Sequence, residues 1–189
     1  MRWIGGSPCS GKSTVAAGLA TAAGALLYSC DDAFDRHADA GPAMRRVVAM
    51  SVADRLAQPI EVQVEDVLRL YREEFAPIRE DLAAGGFGFA EGAALLPELL
   101  HGIGVPPDRA VWIVPTEEFQ RAHYARRPWA RNLVAATPDP PDAFDRWMRR
   151  DAVFARRVAA QARDLGYRVV TVDGTLSVRQ VAAAAFPVD

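Results

Sequence analysis

Apolar and polar positions along the chain follow two alternating patterns. Short apolar runs predict strands at residues 2–5, 25–30, 87–90, 110–114 and 167–172. Between these runs, apolar residues recur at steps of three and four, the spacing of one helical face. The clearest example is the series Val64, Val67, Leu68, Tyr71 and Phe75. Because strands alternate with helices, the pattern predicts right-handed crossovers and an α/β fold with a five-stranded parallel sheet.

The predicted helices fill the connections between the strands. They cover residues 15–23, 43–84 with an interruption near Gln58-Pro59, 94–100, 116–127, 142–165 and 178–185. Thr116 is suited to cap the start of its helix, because acidic residues follow it in the first turn. Residues 128–142 are rich in Pro and Arg, and we expect a mobile loop there.

Composition limits the class of protein. Half of the 189 residues are apolar, which is enough for a substantial core, and we expect one domain covering residues 1–189. The formal net charge of −2 argues against a general nucleic-acid-binding protein. The chain lacks an apolar run of about 18 residues, so we expect no membrane span. The predicted partner is therefore a small molecule, bound by a monomer or a homodimer.

Cysteine usage and the N-terminus suggest a compartment. Cys9 and Cys30 are the two cysteines, too few for a disulfide framework. The N-terminal residues run directly into the first predicted strand and leave no room for a signal peptide. Both observations predict a reduced, cytoplasmic setting.

The strongest motif lies directly after the first strand. Residues 6–14 fit the phosphate-binding pattern G-x-x-x-x-G-K-S/T at every fixed position. The predicted nucleotide-binding residues are Gly6, Ser7, Pro8, Cys9, Ser10, Gly11, Lys12, Ser13 and Thr14. Small residues let successive backbone N–H groups surround phosphate oxygens, and the start of the following helix directs its positive end at the same anion. Lys12, the single lysine of the chain, would reach the outer phosphates, and the Ser13 hydroxyl would bind Mg²⁺.

Acidic residues follow two further strands. Asp31 and Asp32 come after the second strand, and Glu91 comes after the third. Ligands of parallel sheets bind beyond the carboxyl ends of the strands, so these carboxylates are expected beside the bound phosphates. Asp32 is the predicted base that accepts a hydroxyl proton, although Asp31 is an open alternative. Asp31 and Glu91, with Ser13, are the predicted magnesium ligands. The competing interpretation is that these acids only favour helix starts.

A group of arginines follows the fourth strand. Arg127 and Arg131 flank a Pro-Trp break within residues 116–141, which we predict to form a lid. Guanidinium groups stabilise the oxygens of a transferring phosphoryl group, and a closing lid excludes water. The alternative is a solvated basic face. The chain has no clear second ATPase motif, and a guanine-specific Asn-Lys-x-Asp motif is impossible because Lys12 is the single lysine.

The motif and the order of these parts resemble the small P-loop kinases related to nucleoside monophosphate kinases, shikimate and gluconate kinases, and chloramphenicol phosphotransferase. The resemblance implies the P-loop NTPase fold with strand order 2-3-1-4-5, ATP and Mg²⁺ as cofactors, and a helical substrate-binding insertion at residues 36–85. It places Asp173 near the adenine. Within the insertion, it makes Arg36, Arg45 and Tyr71 candidates for the acceptor pocket, together with the base Asp32.

Two departures leave the subfamily open. The adjacent pair Asp31-Asp32 differs from the Asp-x-Asp of shikimate kinases, and the Asp-Gly-x-Pro-Arg signature of adenylate kinases is absent after the third strand. The predicted function is therefore an ATP-dependent transfer of the γ-phosphoryl group to a hydroxyl or phosphate of a nucleoside, nucleotide, sugar acid or antibiotic. The alternatives are a nucleotide-binding resistance or regulatory protein without transfer, and a partner-coupled ATPase.

Overall fold

A computed structural model describes residues 1–187 of the chain. Its centre is a five-stranded parallel sheet in the order β2-β3-β1-β4-β5. The strands are β1 Arg2–Gly6, β2 Leu26–Ser29, β3 Phe87–Glu91, β4 Ala110–Pro115 and β5 Arg168–Val172. The predicted α/β class and the strand order implied by the resemblance are both confirmed.

Strand β1 lies in the middle of the sheet, between β3 and β4. Ile4 is in register with Glu91 of β3, and Gly6 is in register with Ile113 of β4. Because all strands are parallel, the segment after β1 begins beside the carboxyl ends of both neighbours. The sheet therefore brings the residues that follow three different strands to one edge.

Ten helices surround the sheet in the described part of the chain. They are α1 Lys12–Ala22, α2 Cys30–Ala33, α3 Pro42–Ala49, α4 Val52–Ala57, α5 Ile60–Ala84, α6 Pro97–Gly102, α7 Glu117–Ala125, α8 Pro128–Ala135, α9 Pro140–Asp164 and α10 Val178–Ala185. The predicted interruption near Gln58-Pro59 separates α4 from α5. A further break precedes α4, whose N-cap Ser51 accepts a hydrogen bond from the Asp54 N–H. Thr116 caps α7 as predicted.

The prediction of a loop at residues 128–142 was wrong, because α8 occupies the first half of that segment and α9 begins at Pro140. Pro128 and Pro140 each lie in the first turn of a helix, where the missing N–H has no intrahelical partner to lose. Ala130 and Val134 of α8 are buried against α9. Proline therefore starts these helices, whereas its frequency in the sequence had suggested irregular structure.

Apolar side chains cover both faces of the sheet. Trp3 and Trp112 belong to the cluster on the face that carries α5 and α9, while Ile4 and Ile113 belong to the cluster against α1 and α10. This division follows from the alternation of side chains along a strand. All six residues of β4 are buried, as its unbroken apolar run predicted. Within the described residues, the helices include none that is both long and apolar enough to cross a bilayer.

Candidate functional site

The segment after β1 is a tight loop that passes directly into α1, and we call residues 6–14 the 6–14 loop. Gly6 has a φ of 134°, and a Cβ placed there would lie 1.9 Å from the carbonyl oxygen of Ile113. Gly11, the N-cap of α1, has a φ of 79°. Cys9 has a φ of 63°, the one positive φ at a non-glycine position in residues 1–187. Backbone strain of this kind is concentrated at ligand-binding loops.

Several polar groups of the 6–14 loop lack hydrogen-bond partners among the described residues. The N–H groups in the first turn of α1 have no intrahelical acceptor, as in any helix, and no side chain caps them. The hydroxyl oxygens of Ser7 and Ser10 are buried and make no hydrogen bond to the described residues. Unpaired buried polar groups are costly, and an anion with several oxygens would satisfy them together.

Lys12 and Glu91 form a buried pair beneath this loop. The Lys12 Nζ lies 3.9 Å from the Glu91 Oε2, and both side chains are almost fully buried. Burial raises the pKa of the Glu91 carboxyl, and the Lys12 ammonium opposes that rise without cancelling it. The Glu91 Oε2 accepts no hydrogen bond among the described residues. The pair is therefore loosely made, and the ammonium has capacity for a second anionic partner.

A cavity of about 240 Å³, the loop cavity, opens above the 6–14 loop. Its lining residues are Pro8, Cys9, Ser10, Gly11, Lys12, Ser13, Thr14, Asp31, Tyr71, Ala93, Tyr124, Arg127 and Trp129. The Arg127 guanidinium lies 5.8 Å from the Tyr124 ring centroid and 5.9 Å from that of Trp129. These cation–π contacts hold a positive charge in the wall of the cavity.

A second cavity of about 230 Å³, the aromatic cavity, lies on the other side of the loop. It is lined by Cys9, Ser10, Gly11, Thr14, Val15, Phe119, His123, Arg127, Val172, Gly174, Leu176, Val178 and Val181. The Phe119 and His123 rings stack with centroids 4.1 Å apart. This lining is suited to a flat, partly apolar ring next to the phosphate-binding groups. The Asp173 carboxylate accepts hydrogen bonds from the Thr175 N–H and hydroxyl, which fixes the turn that presents Gly174.

A third cavity of about 180 Å³, the arginine cavity, adjoins the loop cavity through their shared wall residue Tyr71. It is lined by Phe34, Val47, Met50, Arg55, Gln58, Gln63, Asp66, Val67, Leu70, Tyr71 and Arg150. Of the residues predicted for the acceptor pocket, Tyr71 lines it. Arg36 instead pairs with Asp81, and Arg45 donates to the Asp39 carbonyl oxygen.

The remaining predicted residues separate into two groups. Asp31 and Ser13 line the loop cavity, whereas Asp32 does not. The N–H of Asp32 donates to the hydroxyl of Ser29, which caps α2. Both acids lie in the first turn of that helix, where the competing interpretation placed them. Arg131 is exposed on α8 and lines none of the three cavities.

Several lining residues of the arginine cavity were not predicted from the sequence. Arg55, Gln63 and Asp66 belong to α4 and α5, and the helical periodicity identified only the apolar face of those helices. The signal available in the sequence was the presence of charged and amide residues close to that apolar stripe. A linear pattern does not show that two helices turn these side chains toward one space.

A buried ionisable cluster lies beside the site. His37 contacts the Glu74 Oε1 at 3.3 Å and the Asp81 Oδ2 at 3.2 Å. Glu74 is almost fully buried, and its Oε2 has no hydrogen-bond partner among the described residues. Burial raises the pKa of Glu74 to about 7, and the hydrogen bond to His37 opposes that rise.

This pKa predicts a pH-dependent stability. The unfolded carboxyl ionises near its ordinary pKa of 4.5, while the folded one stays protonated to about pH 7. The Glu74 contribution to the free energy of unfolding should therefore fall as pH rises between these values and level off above them. We expect the free energy of unfolding, measured with urea at pH 5 and pH 8, to fall less over this interval in Glu74→Gln than in the native protein. Glu80→Gln, on the exposed side of α5, is the control and should behave like the native protein.

Comparisons with known proteins find likenesses among solved structures. No protein-family model matches the chain, and no curated protein matches it. The chain is similar to a crystal structure of a "putative kinase" from Chloroflexus aurantiacus J-10-fl, with 19% sequence identity and a TM-score of 0.45. The match covers 95% of this chain and 92% of that chain. A likeness of this degree carries no argument about activity.

Proposed function

We propose that the protein is an ATP- and Mg²⁺-dependent phosphotransferase that transfers the γ-phosphoryl group to a hydroxyl or phosphate of a small molecule. The observation that carries the proposal is the convergence at the loop cavity. A strained loop with unpaired polar groups, the ammonium of Lys12, the carboxylate of Asp31 and the guanidinium of Arg127 surround one space. Each is a group type that phosphoryl transfer requires.

Nucleotide binding would use two of the three cavities. The triphosphate would lie in the loop cavity, with its outer oxygens on Lys12 and on the N–H groups at the start of α1. The nucleobase would enter the aromatic cavity against Phe119 and His123, beside the turn that Asp173 fixes. The two cavities share loop residues such as Ser10 and Gly11, so one ligand can span both.

The residues present fit a magnesium ion bound mainly through phosphates. Ser13 lines the loop cavity, and Glu91 has a buried oxygen without a hydrogen-bond partner among the described residues, so these two side chains would hold the ion and leave Asp31 to act as the base. The described residues contain no group of three or more His, Cys, Asp or Glu side chains arranged to hold a metal ion by themselves. Mg²⁺ typically takes one or two carboxylates and completes its coordination with waters and substrate phosphates. The ion would supply charge compensation for the phosphate oxygens.

The chemical step would depend on positioning and charge. An acceptor hydroxyl oxygen attacks the γ-phosphorus, the bond to the bridging oxygen breaks, and ADP leaves. Asp31 accepts the proton of that hydroxyl, and Arg127 stabilises the charge on the transferred group. Residues 116–141, which include α7 and α8, would act as the lid. Trp129 is half exposed at the rim of the loop cavity, where lid closure would cover it.

The test of the proposal is acceptor-dependent ADP release. The purified protein would be incubated with ATP and Mg²⁺ against a panel of nucleosides, nucleotides, sugars, sugar acids and aminoglycosides. ADP formation that requires an acceptor supports the phosphotransferase. Turnover that is independent of acceptor would indicate an ATPase, and tight ATP binding without turnover would indicate a binding protein. Either of the last two results contradicts transfer.

The adjacent acids provide a matched pair of variants. Asp31→Asn should lower turnover at least about 100-fold, because it removes the proposed base, with ATP affinity largely kept. Asp32→Asn should leave turnover near the native value, because that side chain lies outside the loop cavity. The readouts are steady-state ADP release and calorimetric ATP binding for both variants. The opposite ranking of the two variants would assign the base to Asp32, the residue that the sequence favoured.

A further inference from the structure

The arginine cavity has a chemical character that the proposed function does not by itself explain. One part of its wall is apolar, formed by residues such as Phe34, Val47 and Leu70. The other part carries ionic and amide groups on α4, α5 and α9. Because Tyr71 lines both this cavity and the loop cavity, the arginine cavity lies next to the proposed phosphate site, where an acceptor must bind.

Charge in the arginine cavity is not balanced. The Nε and Nη2 of Arg150 donate to the Asp151 Oδ1 at 2.8 and 2.6 Å, so this guanidinium has a carboxylate partner. Asp66 is likewise paired with Arg46. Arg55 makes no ion pair or side-chain hydrogen bond with the described residues, although its side chain is partly buried. Burial and the nearby Arg150 lower the pKa of Arg55. A partly buried charge without a partner is unfavourable, so the cavity favours an added anion.

Gln63 supplies a second, independent observation. Its Nε2 donates to the carbonyl oxygens of Leu56 and Gln58 at 3.2 and 2.8 Å, which determines the orientation of the amide. The Oε1 is consequently an acceptor, and it is buried without a hydrogen-bond partner among the described residues. Gln63 itself is 5% exposed. A ligand in the cavity would satisfy this oxygen only with an O–H or N–H donor.

The volume limits the size of the ligand. A dry cavity of about 150 Å³ accommodates benzene in other proteins. The arginine cavity, at about 180 Å³, is therefore suited to one six-membered ring with small substituents.

We propose that the arginine cavity binds the phosphoryl acceptor, and that this acceptor is a small amphipathic anion. It carries a carboxylate or a phosphate monoester on Arg55, one ring against the apolar wall, and an O–H or N–H group that donates to Gln63. The role as acceptor rests on the proposed phosphotransferase function, whereas the binding of the anion does not.

Calorimetric titration without nucleotide separates the two claims. The probes are 3-(hydroxymethyl)benzoate, 3-(hydroxymethyl)phenyl phosphate and the neutral 3-(hydroxymethyl)benzamide, which share one ring and one primary alcohol. We expect at least one of the two anions to bind at least about tenfold more tightly than the amide, the effect of one charge-assisted hydrogen bond. The stronger of the two anions identifies the native headgroup. Equal affinity for all three probes would overturn the proposal.

Variants of Arg55 assign the effect to this cavity. Arg55→Gln should abolish the preference for the anion over the amide, and Arg55→Lys should restore part of it. Arg69→Gln, on an exposed position of α5, is the matched control and should keep the full preference. A thermal melt of each variant shows whether it is folded. If Arg55→Gln retains the preference, the proposal is wrong.

Turnover assays distinguish failure of this proposal from failure of the proposed function. Anion binding that Arg55→Gln abolishes, without acceptor-dependent ADP release from any compound, would support the anion site and contradict the phosphotransferase. Transfer to neutral acceptors with kcat/KM unchanged by Arg55→Gln would support the phosphotransferase and contradict the anionic acceptor. Transfer to the anionic probe with a KM raised in Arg55→Gln would support both.

Discussion

Replacing Lys12 with methionine should lower phosphoryl transfer by about 100- to 1,000-fold, the usual effect of removing one group that stabilises developing charge. Methionine keeps most of the apolar stem and removes the ammonium, so packing beneath the 6–14 loop is largely retained. Lys12 is almost fully buried, with its Nζ 3.9 Å from Glu91, and no other lysine exists to replace it. Steady-state ADP release with a working acceptor measures the loss.

The stability of this variant needs a separate control. Removing the ammonium leaves Glu91 buried without the cation that opposes the rise of its pKa. Lys12→Met alone should therefore be less stable than the native protein, and adding Glu91→Gln should recover part of that stability. The double variant should remain inactive, because neither substitution restores the charge at the phosphates. Full turnover in either variant would exclude Lys12 from phosphoryl transfer.

Arginine in place of Lys12 tests geometry rather than charge. The guanidinium is planar and larger than an ammonium, and the site is enclosed by loop residues on one side and by Glu91 on the other. We expect Lys12→Arg to lose turnover despite its positive charge. Native activity in Lys12→Arg would mean that the loop cavity accepts a broader cation than the fold suggests.

The strands of the sheet and the 6–14 loop could be predicted because each depends on residues that are close together in the sequence. An unbroken apolar run such as 110–114 has few structural options, and glycines at fixed spacing serve one kind of loop. The strand order was available from the resemblance alone, because no local pattern determines which strands are neighbours. The helix at Pro128–Ala135 was missed because burial against α9 outweighed a composition typical of loops.

The site was predictable only in part, for a related reason. Asp31 and Asp32 are indistinguishable by composition and spacing, and only the path of the chain after Ser29 turns one of them toward the loop cavity. Arg55 and Gln63 lie on different helices, whose shared cavity depends on how α4 and α5 pack. Tertiary packing thus determines which polar residues meet, whereas sequence patterns determine which elements carry them.

Replacing Gly6 with alanine should destabilise the protein by at least about 4 kcal/mol, a loss expected only of severe steric or packing defects. The added Cβ would lie 1.9 Å from the carbonyl oxygen of Ile113 and 2.9 Å from its nitrogen. Both atoms are backbone of β4, which pairs with β1 on one side and β5 on the other, so neither can rotate away. Because the φ of Gly6 is 134°, the backbone of the new alanine would itself be strained.

Gly11→Ala separates steric clash from backbone strain. Gly11 also has a positive φ, 79°, but a Cβ there would meet no atom within 4 Å. Its substitution should therefore cost only the strain of the left-handed conformation, about 1 kcal/mol. Urea unfolding followed by circular dichroism gives the free energy of unfolding of both variants. Equal destabilisation by the two substitutions would mean that β1 and β4 separate to admit the methyl group, and that the close approach of Gly6 to Ile113 does not hold the loop against the sheet.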